Sequence, residues 1–244
     1  MRNIIELQPA YLLHSRPFRD TSLLLDFLTP DFGRISAISR GARSAKSKSK
    51  SLLQPFLPVQ ISLSGKSDLK TLRTVEFRPG TITLKGDRLF SAMYMNEIIV
   101  RLFQSNESDP AFFLAYENAL RELSGHETTE LVLREFELTL LDTLGYGVDF
   151  TTEAFSHDPI DPESWYYFQE DSGFIKLQNS GGTGSQDVGS EELYSGVSLL
   201  NISNRDFSKS QTLKTAKHVI RTILSNHLGN TPLQSRSLFS RFRQ

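Results

Sequence analysis

The chain has 244 residues, 38% of them hydrophobic, and it contains no cysteine, which excludes disulfides, thiol nucleophiles and thiolate zinc sites. It has no run of about 18 apolar residues for a membrane span and no apolar N-terminal leader, so we expect a cytoplasmic protein with no membrane contact. The formal net charge of −1 hides three blocks: residues 1–80 carry 13 Lys and Arg against 6 Asp and Glu, residues 81–200 carry 6 against 21, and residues 201–244 carry 8 against 1.

The first 80 residues predict a small β-barrel. Five short segments rich in Leu, Ile, Val, Phe and Thr are separated by Pro, Gly, Asp and Ser, at residues 11–15, 22–29, 34–39, 59–64 and 70–77. Pro30, Asp31 and Gly33 are typical of a hairpin loop between the second and third segments. Five strands in this length favour an OB-fold, and an SH3-like barrel fits the pattern nearly as well.

A lysine-rich segment at residues 41–51 separates the third and fourth predicted strands. Lys46, Lys48 and Lys50 alternate with serine, so an extended chain would present all three on one side. Such a row can contact successive phosphates, whereas the alternative is a loop that only aids solubility. We expect the contact role.

After residue 80 the periodicity becomes helical. Apolar residues at helical spacing predict helices around residues 89–103, 112–123, 133–144 and 213–228, with Ser210 as the N-cap of the last and Gly229 just beyond its end. Residues 150–200 break this pattern, and we expect an irregular insertion that contains a hairpin at 164–177. The predicted class is therefore α+β, with an OB-fold over 1–80 and an antiparallel helical domain over 81–244.

The motifs of catalysis are missing from the sequence. The five histidines have no metal-binding spacing, and the glycines at 181–184 lack the features of a P-loop. His157, Asp158, Asp161 and Glu163 are close in sequence, but Pro159 and Pro162 favour a polar turn. We therefore predict a binding protein without catalytic residues, cofactor or metal, and a metal-dependent enzyme using Asp158 or Asp161 is a distant alternative.

Short motifs follow one another along nearly the whole chain. They are Leu12-Leu13-His14-Ser15-Arg16-Pro17, Thr21-Ser22-Leu23, Gly33-Arg34, Arg40-Gly41-Ala42-Arg43, Leu53-Gln54-Pro55-Phe56, Leu69-Lys70-Thr71-Leu72, Asn96-Glu97, Phe136-Glu137-Leu138, Leu144-Gly145-Tyr146 and Leu233-Gln234-Ser235-Arg236. In this order they resemble the RecO family of bacterial DNA repair and recombination mediator proteins.

The resemblance implies binding rather than turnover. Family members bind single- and double-stranded DNA, anneal complementary strands, and act with RecR to load RecA onto DNA coated by single-strand binding protein. Many also hold zinc on cysteines in the inserted region. This chain has no cysteine, so we expect no zinc and an insertion held by packing around Trp165, Tyr167 and Phe174.

The basic residues of the barrel are the predicted DNA contacts. Neutralising backbone phosphates would give salt-sensitive affinity with little sequence preference. The candidates are Arg16, Arg34, Arg40, Arg43, Lys46, Lys48, Lys50, Lys66, Lys70 and Arg73. Phe18 and Phe32 could stack on bases, although core positions are the commoner use of barrel phenylalanines. A basic C-terminal segment with Arg236, Arg241 and Arg243 would extend the footprint.

The helical domain would bind the protein partner. The resemblance implies a pocket for the acidic, apolar C-terminal tail of single-strand binding protein, which needs apolar walls and a cation. Arg121, Leu131 and Arg134 are the candidates, whereas Arg134 could instead pair with Glu130 or Glu137. An RNA-binding or ribosome-associated OB-fold protein remains the second hypothesis, since phosphate contacts alone do not distinguish the sugars.

Overall fold

The computed structural model describes residues 4–45, 47, 49–80, 82–105, 107–170, 172–177, 192–229, 231–235 and 237–238. Several sequence predictions fall outside these described residues, namely those on Lys46, Lys48, the glycines at 181–189, Arg236, Arg241 and Arg243. The chain divides into two compact units. The first comprises residues 1–140 and 230–244, and the second comprises residues 141–229. The predicted functional boundary at residue 80 stays a prediction.

Five strands form a closed barrel, and their positions confirm the strand prediction. They are β1 (Ile4–Phe18), β2 (Ser22–Thr29), β3 (Gly33–Ser39), β4 (Pro58–Ser64) and β5 (Lys70–Phe77). The order around the barrel is β1-β2-β3-β5-β4, with β3 parallel to β5 and the other pairs antiparallel. This arrangement is compatible with the predicted OB-fold. β1 is longer than predicted because its two halves pair with different neighbours, β2 and β4.

The barrel core follows from the alternation of side chains along each strand. Leu25 and Phe27 of β2 and Ile35 and Ala37 of β3 are fully buried, while the residues between them are more exposed. Successive strand side chains point to opposite faces, so one face of each strand supplies the core. The apolar period of the sequence therefore sets the register.

Three helices complete most of the first unit, as the apolar spacing predicts. They are α1 (Asp87–Leu102), α2 (Pro110–Ser124) and α3 (Thr129–Thr143). The Asp109 carboxylate accepts a hydrogen bond of 2.8 Å from the Phe112 N–H, and Pro110 occupies the first turn. A side-chain acceptor before the helix and a proline at its start are both favourable, so α2 has a well-defined beginning.

A buried polar network joins the barrel to these helices. The Tyr11 hydroxyl of β1 donates to Glu117 of α2 at 2.8 Å, and the Asn96 amide of α1 donates to the Leu13 carbonyl at 2.9 Å. Glu117 also pairs with Arg78 and, at 3.0 Å, with Arg121. Because Tyr11, Asn96 and Glu117 are buried, their hydrogen bonds are required to offset lost hydration. These hydrogen bonds and ion pairs hold α1 and α2 on the barrel.

The described C-terminal residues return to α1. Glu97 accepts hydrogen bonds from the Gln234 N–H at 2.8 Å and from the N–H and hydroxyl of Ser235 at 2.9 and 2.7 Å. Arg101 pairs with Glu97 and donates to the carbonyls of Thr231 and Pro232. We call Glu97 and Arg101, with residues 231–235, the C-terminal latch.

The second unit contains a small sheet and two helices. Strands β6 (Trp165–Gln169), β7 (Gly173–Lys176) and β8 (Leu193–Ser195) lie in the order β7-β6-β8, followed by α4 (Gly196–Ser203) and α5 (Ser210–Leu228). The predicted hairpin and last helix are confirmed, whereas β8 and α4 were not predicted. The N-cap of α5 is Lys209 rather than Ser210, and Ser210 already has helical geometry.

The packing prediction for the insertion is partly wrong. Phe174 is fully buried, but Trp165 is 52% exposed and its neighbour Tyr166 is buried instead. Adjacent strand residues face opposite sides, so only one of this pair can reach the core. Tyr166 packs inward, and its hydroxyl accepts a hydrogen bond of 2.8 Å from the Asp161 N–H.

Candidate nucleic-acid interface

The strand register brings most of the predicted DNA contacts to one end of the barrel. Leu23 pairs with Pro17 on one side and with Ser39 on the other, and Ala37 pairs with Lys70. The β1–β2 turn, the end of β3 and the β4–β5 turn therefore lie together. We call this the basic end, and its described cations are Arg16, Arg19, Arg40, Arg43, Lys50, Lys66 and Lys70.

The cations of the basic end are available to a ligand. Most are exposed, and Lys70 is half-buried. Within the described part of the chain, no carboxylate or hydrogen-bond acceptor contacts the side chains of Arg16, Arg40, Lys50, Lys66 or Lys70. Asp20 and Asp68 are the acidic residues of the same turns. Cations clustered on one surface create a positive potential that attracts phosphate.

Arg43 has a structural contact as well as an exposed head. Its Nη1 donates to the carbonyls of Arg19 and Asp20, both at 3.3 Å, and its backbone N–H donates to the Thr21 carbonyl at 2.9 Å. The loop after β3 is thus held against the β1–β2 turn. This contact positions the basic loop on the barrel and leaves the other guanidinium nitrogens for phosphate.

Arg19 belongs to this surface and was missed by sequence reasoning. Its guanidinium lies over the Phe18 ring, 5.2 Å from the centroid, in a cation–π arrangement. Arg19 is in the left-handed region with φ of 51°. The turn residues that follow the first predicted strand, Arg19-Asp20-Thr21, were a usable signal, since loop residues at a barrel end are exposed.

An open groove of about 800 Å³ lies at the basic end. It runs between the start of β2 and the loop after β3, and its apolar side chains are Leu23, Ala42 and Leu53. Arg43, Lys50 and Gln54 supply polar groups to the same groove. The groove therefore combines an apolar surface with two cations.

The opposite end of the barrel differs, and it contains Arg34 and Phe32. Arg34 donates to the Phe103 carbonyl at 2.9 Å and to Ser105 at 2.9 Å, and its Nη1 lies 3.4 Å from Asp26. These contacts attach β3 to the end of α1. The structure does not bring Arg34 or Phe32 to the basic end, and Arg73 lies along β5, exposed, between the two ends.

The three predicted partner residues have different environments. Arg134 is buried, and its Nη2 donates to Glu137 Oε1 at 3.0 Å while its Nη1 lies 2.9 Å from Oε2. Glu137 also accepts from the Tyr94 hydroxyl at 2.7 Å. The pairing of Arg134 with Glu137 is therefore the alternative that is realised. Nε of Arg134 is buried and has no hydrogen-bond partner among the described residues.

Arg121 and Leu131 are nearer the surface than Arg134. The Arg121 side chain is 61% exposed and pairs with Glu117, and Leu131 is half-buried. The connection between α2 and α3 spans only residues 125–128, so the last turn of α2 lies beside the first turn of α3. Arg121 and Arg134 thus belong to separate ion pairs, with Glu117 and Glu137 respectively.

The second unit is acidic, and its carboxylates are committed to turns. A cavity of about 510 Å³ is lined by Asp149, Glu153 and His157, among others. Burial would raise the pKa values of Asp149 and Glu153, but hydrogen bonds from Thr151 and Thr152, and from Ser156 and Phe155, hold both below their ordinary values. Carboxylates that are charged at neutral pH repel phosphate, which favours the first unit as the nucleic-acid surface.

Comparisons with known proteins agree with the resemblance. The family model for the N-terminal part of recombination protein O matches residues 1–79, and the model for its C-terminal part matches residues 84–237. The chain belongs to the RecO family. The DNA repair protein RecO of Tolumonas auensis is 40% identical over 238 residues, which cover 97% of this chain and 96% of that protein.

Further RecO relatives are similar along their whole length. The DNA repair protein RecO of Psychromonas ingrahamii is 38% identical over 97% of this chain and 98% of its own length. That of Vibrio parahaemolyticus is 41% identical over 95% and 92%, respectively. In the described residues of this RecO chain, no helix is long and apolar enough to cross a membrane.

Proposed function

We propose that this protein acts in DNA repair and recombination as a mediator that binds DNA and has no catalytic turnover. The observation that carries the proposal is the basic end, where seven described cations gather and most lack an intramolecular partner. Membership of the RecO family supports the same role. The proposal includes a cytoplasmic, nucleoid-associated location and a DNA-binding domain at residues 1–80.

Binding at the basic end would be electrostatic and would accept single and double strands. Each phosphate that is neutralised releases counterions, with a salt slope of about 0.7 per contact on a single strand and about 0.9 on a duplex. Contacts to phosphate set position and carry little sequence information. The surface thus suits a protein that must act at any sequence.

Annealing of complementary strands follows from the same surface. Two single strands repel through their phosphates, and a shared basic surface reduces this repulsion while the bases meet. The reaction needs no nucleophile or acid–base group. Loading of RecA onto coated DNA, with RecR as a partner, is the further part of the proposed role.

We place the tail of single-strand binding protein at the α2–α3 surface. Arg121 offers an exposed cation and Leu131 an apolar contact, which suit an acidic, apolar peptide. Arg134 lies behind them with an unused Nε donor, so its part requires the Glu137 pair to open. Arg121 is therefore the first residue that the tail would meet.

Annealing kinetics test the proposal directly. Complementary oligonucleotides, bare and coated with single-strand binding protein, are mixed with wild type, with Arg43→Gln/Lys50→Gln, and with Arg121→Ala across a range of salt. We expect wild type to accelerate annealing on both substrates. The double variant should be slower on both, and Arg121→Ala should be slower only on coated strands.

Three outcomes would redirect the proposal. Absence of annealing and of DNA binding at low salt would exclude the mediator role. Tighter binding to a matched RNA oligonucleotide than to DNA would favour the RNA-binding alternative, which the basic surface also suits. Equal slowing of both substrates by Arg121→Ala would contradict the separate tail surface.

A further inference from the structure

The groove at the basic end differs in chemistry from the rest of that surface. Leu23 is half-buried at the start of β2, while Ala42 and Leu53 are buried at 1% and 8% exposure and belong to the edge of the barrel core. Arg43 and Lys50 stand at the same groove and are exposed. Phosphate binding requires the cations and gives no reason for an apolar floor beside them.

A nucleotide can use both the apolar side chains and the cations of this groove. Its base has flat, weakly polar faces, and its phosphate carries the charge. We propose that the groove holds one unstacked base of a single strand against Leu23 and Leu53, with flanking phosphates on Arg43 and Lys50. This inference rests on the proposed function and identifies the unpaired base as a ligand of the basic end.

Polar atoms at the groove can form hydrogen bonds with the edges of such a base. The Gln54 side chain is exposed and lines the groove, and its amide carries both donors and an acceptor. An amide that can present either group tolerates different bases, which agrees with binding that does not depend on sequence. The groove volume of about 800 Å³ leaves room for any of the four.

The groove has a consequence for strand choice. A base in a duplex is stacked and paired, so it can enter only after both interactions are broken, which costs a few kcal/mol. A base in a single strand is already unpaired, so its entry into the groove costs less free energy. The groove should therefore favour single strands, while the cations alone accept both forms.

The test compares an oligothymidine with an abasic oligomer of the same length and backbone charge. We expect wild type to bind the abasic oligomer about 10-fold more weakly, at equal salt, because the phosphate contacts are kept and the base contacts are lost. Arg43→Gln should weaken both oligomers alike. The salt slope should be the same for both oligomers with wild type.

A groove-filling variant and a matched control complete the experiment. Ser51 is exposed and lines the groove, so Ser51→Leu should fill it and reduce affinity for oligothymidine to that for the abasic oligomer. Thr74→Leu places the same side chain at an exposed position of β5 and should change neither affinity. If Ser51→Leu is unstable, Leu23→Thr can replace it. This variant removes one apolar side chain of the groove and should likewise reduce affinity for oligothymidine to that for the abasic oligomer.

The results separate this inference from the proposed function. Equal and tight binding of both oligomers by wild type would overturn the base groove and leave the phosphate surface intact. A loss of affinity for both oligomers in Ser51→Leu would also overturn it. No binding of either oligomer at low salt would instead overturn the proposed function itself.

Discussion

The two ends of the barrel use the same residue types for different purposes. At the basic end, Arg16 and Arg40 are exposed without a partner among the described residues, whereas at the opposite end Arg34 is bonded to Phe103, Ser105 and Asp26. A charge that has no intramolecular partner can serve a ligand, and a charge that is fully engaged serves the fold. Strand register, rather than the number of cations, thus selects the residues of the proposed interface.

This distinction predicts two kinds of effect. Removing a charge that is paired within the protein should change stability, and removing a charge without such a partner should change DNA affinity. Glu117 is the most engaged carboxylate of the barrel–helix joint, with Tyr11, Arg78 and Arg121 around it. We expect Glu117→Ala to lower the free energy of unfolding by about 3 to 5 kcal/mol, because it leaves the buried Tyr11 hydroxyl without its acceptor and the half-buried Arg78 without its counter-charge. Urea titration measures this loss, with the exposed Glu122→Ala as control. A loss equal to that of the control would contradict the assignment.

Charge reversal at the basic end gives the next largest effect. Arg43→Glu/Lys50→Glu should lower affinity for single-stranded DNA about 100-fold at low salt, since two phosphate contacts are lost and repulsion is added. Fluorescence anisotropy across salt concentrations measures affinity and slope together. Lys85→Glu changes charge at an exposed residue between the barrel and α1 and should have little effect. Similar losses in both variants would reduce the basic end to a net-charge effect.

A pair of matched arginine variants tests the comparison most directly. Arg34→Gln should lower the free energy of unfolding by about 2 kcal/mol, because hydrogen bonds from a charged donor are lost, and it should leave DNA affinity nearly unchanged. Arg16→Gln should have the opposite pattern, a several-fold weaker affinity and unchanged stability. Thermal melting and anisotropy on both variants suffice. If Arg34→Gln weakens DNA binding more than Arg16→Gln, the interface extends to the opposite end.

The smallest expected effect concerns the C-terminal latch and pH. Burial would raise the pKa of Glu97, but hydrogen bonds from Ser235 and Gln234 and the charge of Arg101 hold it below its ordinary value of 4.5. Glu97 therefore stabilises the fold above that ordinary value, and this contribution is lost as pH falls through its lower folded pKa. Glu97→Gln should cost about 1 kcal/mol at pH 7 and nothing in strong acid. A difference that is constant with pH would contradict the charged latch.

Much of the barrel could be predicted because each strand is a short apolar segment bounded by turn residues. Richness in Leu, Val, Phe and Thr between turn residues gave the bounds of β2 and β5 at residues 22–29 and 70–77, and the turn chemistry of Pro30, Asp31 and Gly33 marked the hairpin correctly. Local patterns of this kind depend on neighbouring residues only. They were less informative for β8, a three-residue strand, and for α4, whose eight residues span about two turns.

The candidate site was harder to predict because its selection depends on pairing between distant residues. The sequence shows Arg34 and Arg43 as equivalent cations, whereas the structure separates them by the contacts of Arg34 with Phe103, Ser105 and Asp26. Likewise, the spacing of three between Arg134 and Glu137 permits an ion pair but does not state that it is buried. Arg19 was also missed, and its position at the basic end becomes clear only from the β1–β2 turn and its contact with the Phe18 ring.

The C-terminal latch also affects the order in which parts of the first unit can fold during translation. Glu97 and Arg101 emerge from the ribosome long before residues 231–235, which they hold. Domains tend to fold during synthesis from the N-terminus, so the barrel and α1 form while their last binding partner is still untranslated. A nascent or prematurely terminated chain would therefore expose the latch face of α1. The first unit is finished only after residues 231–235 have been translated.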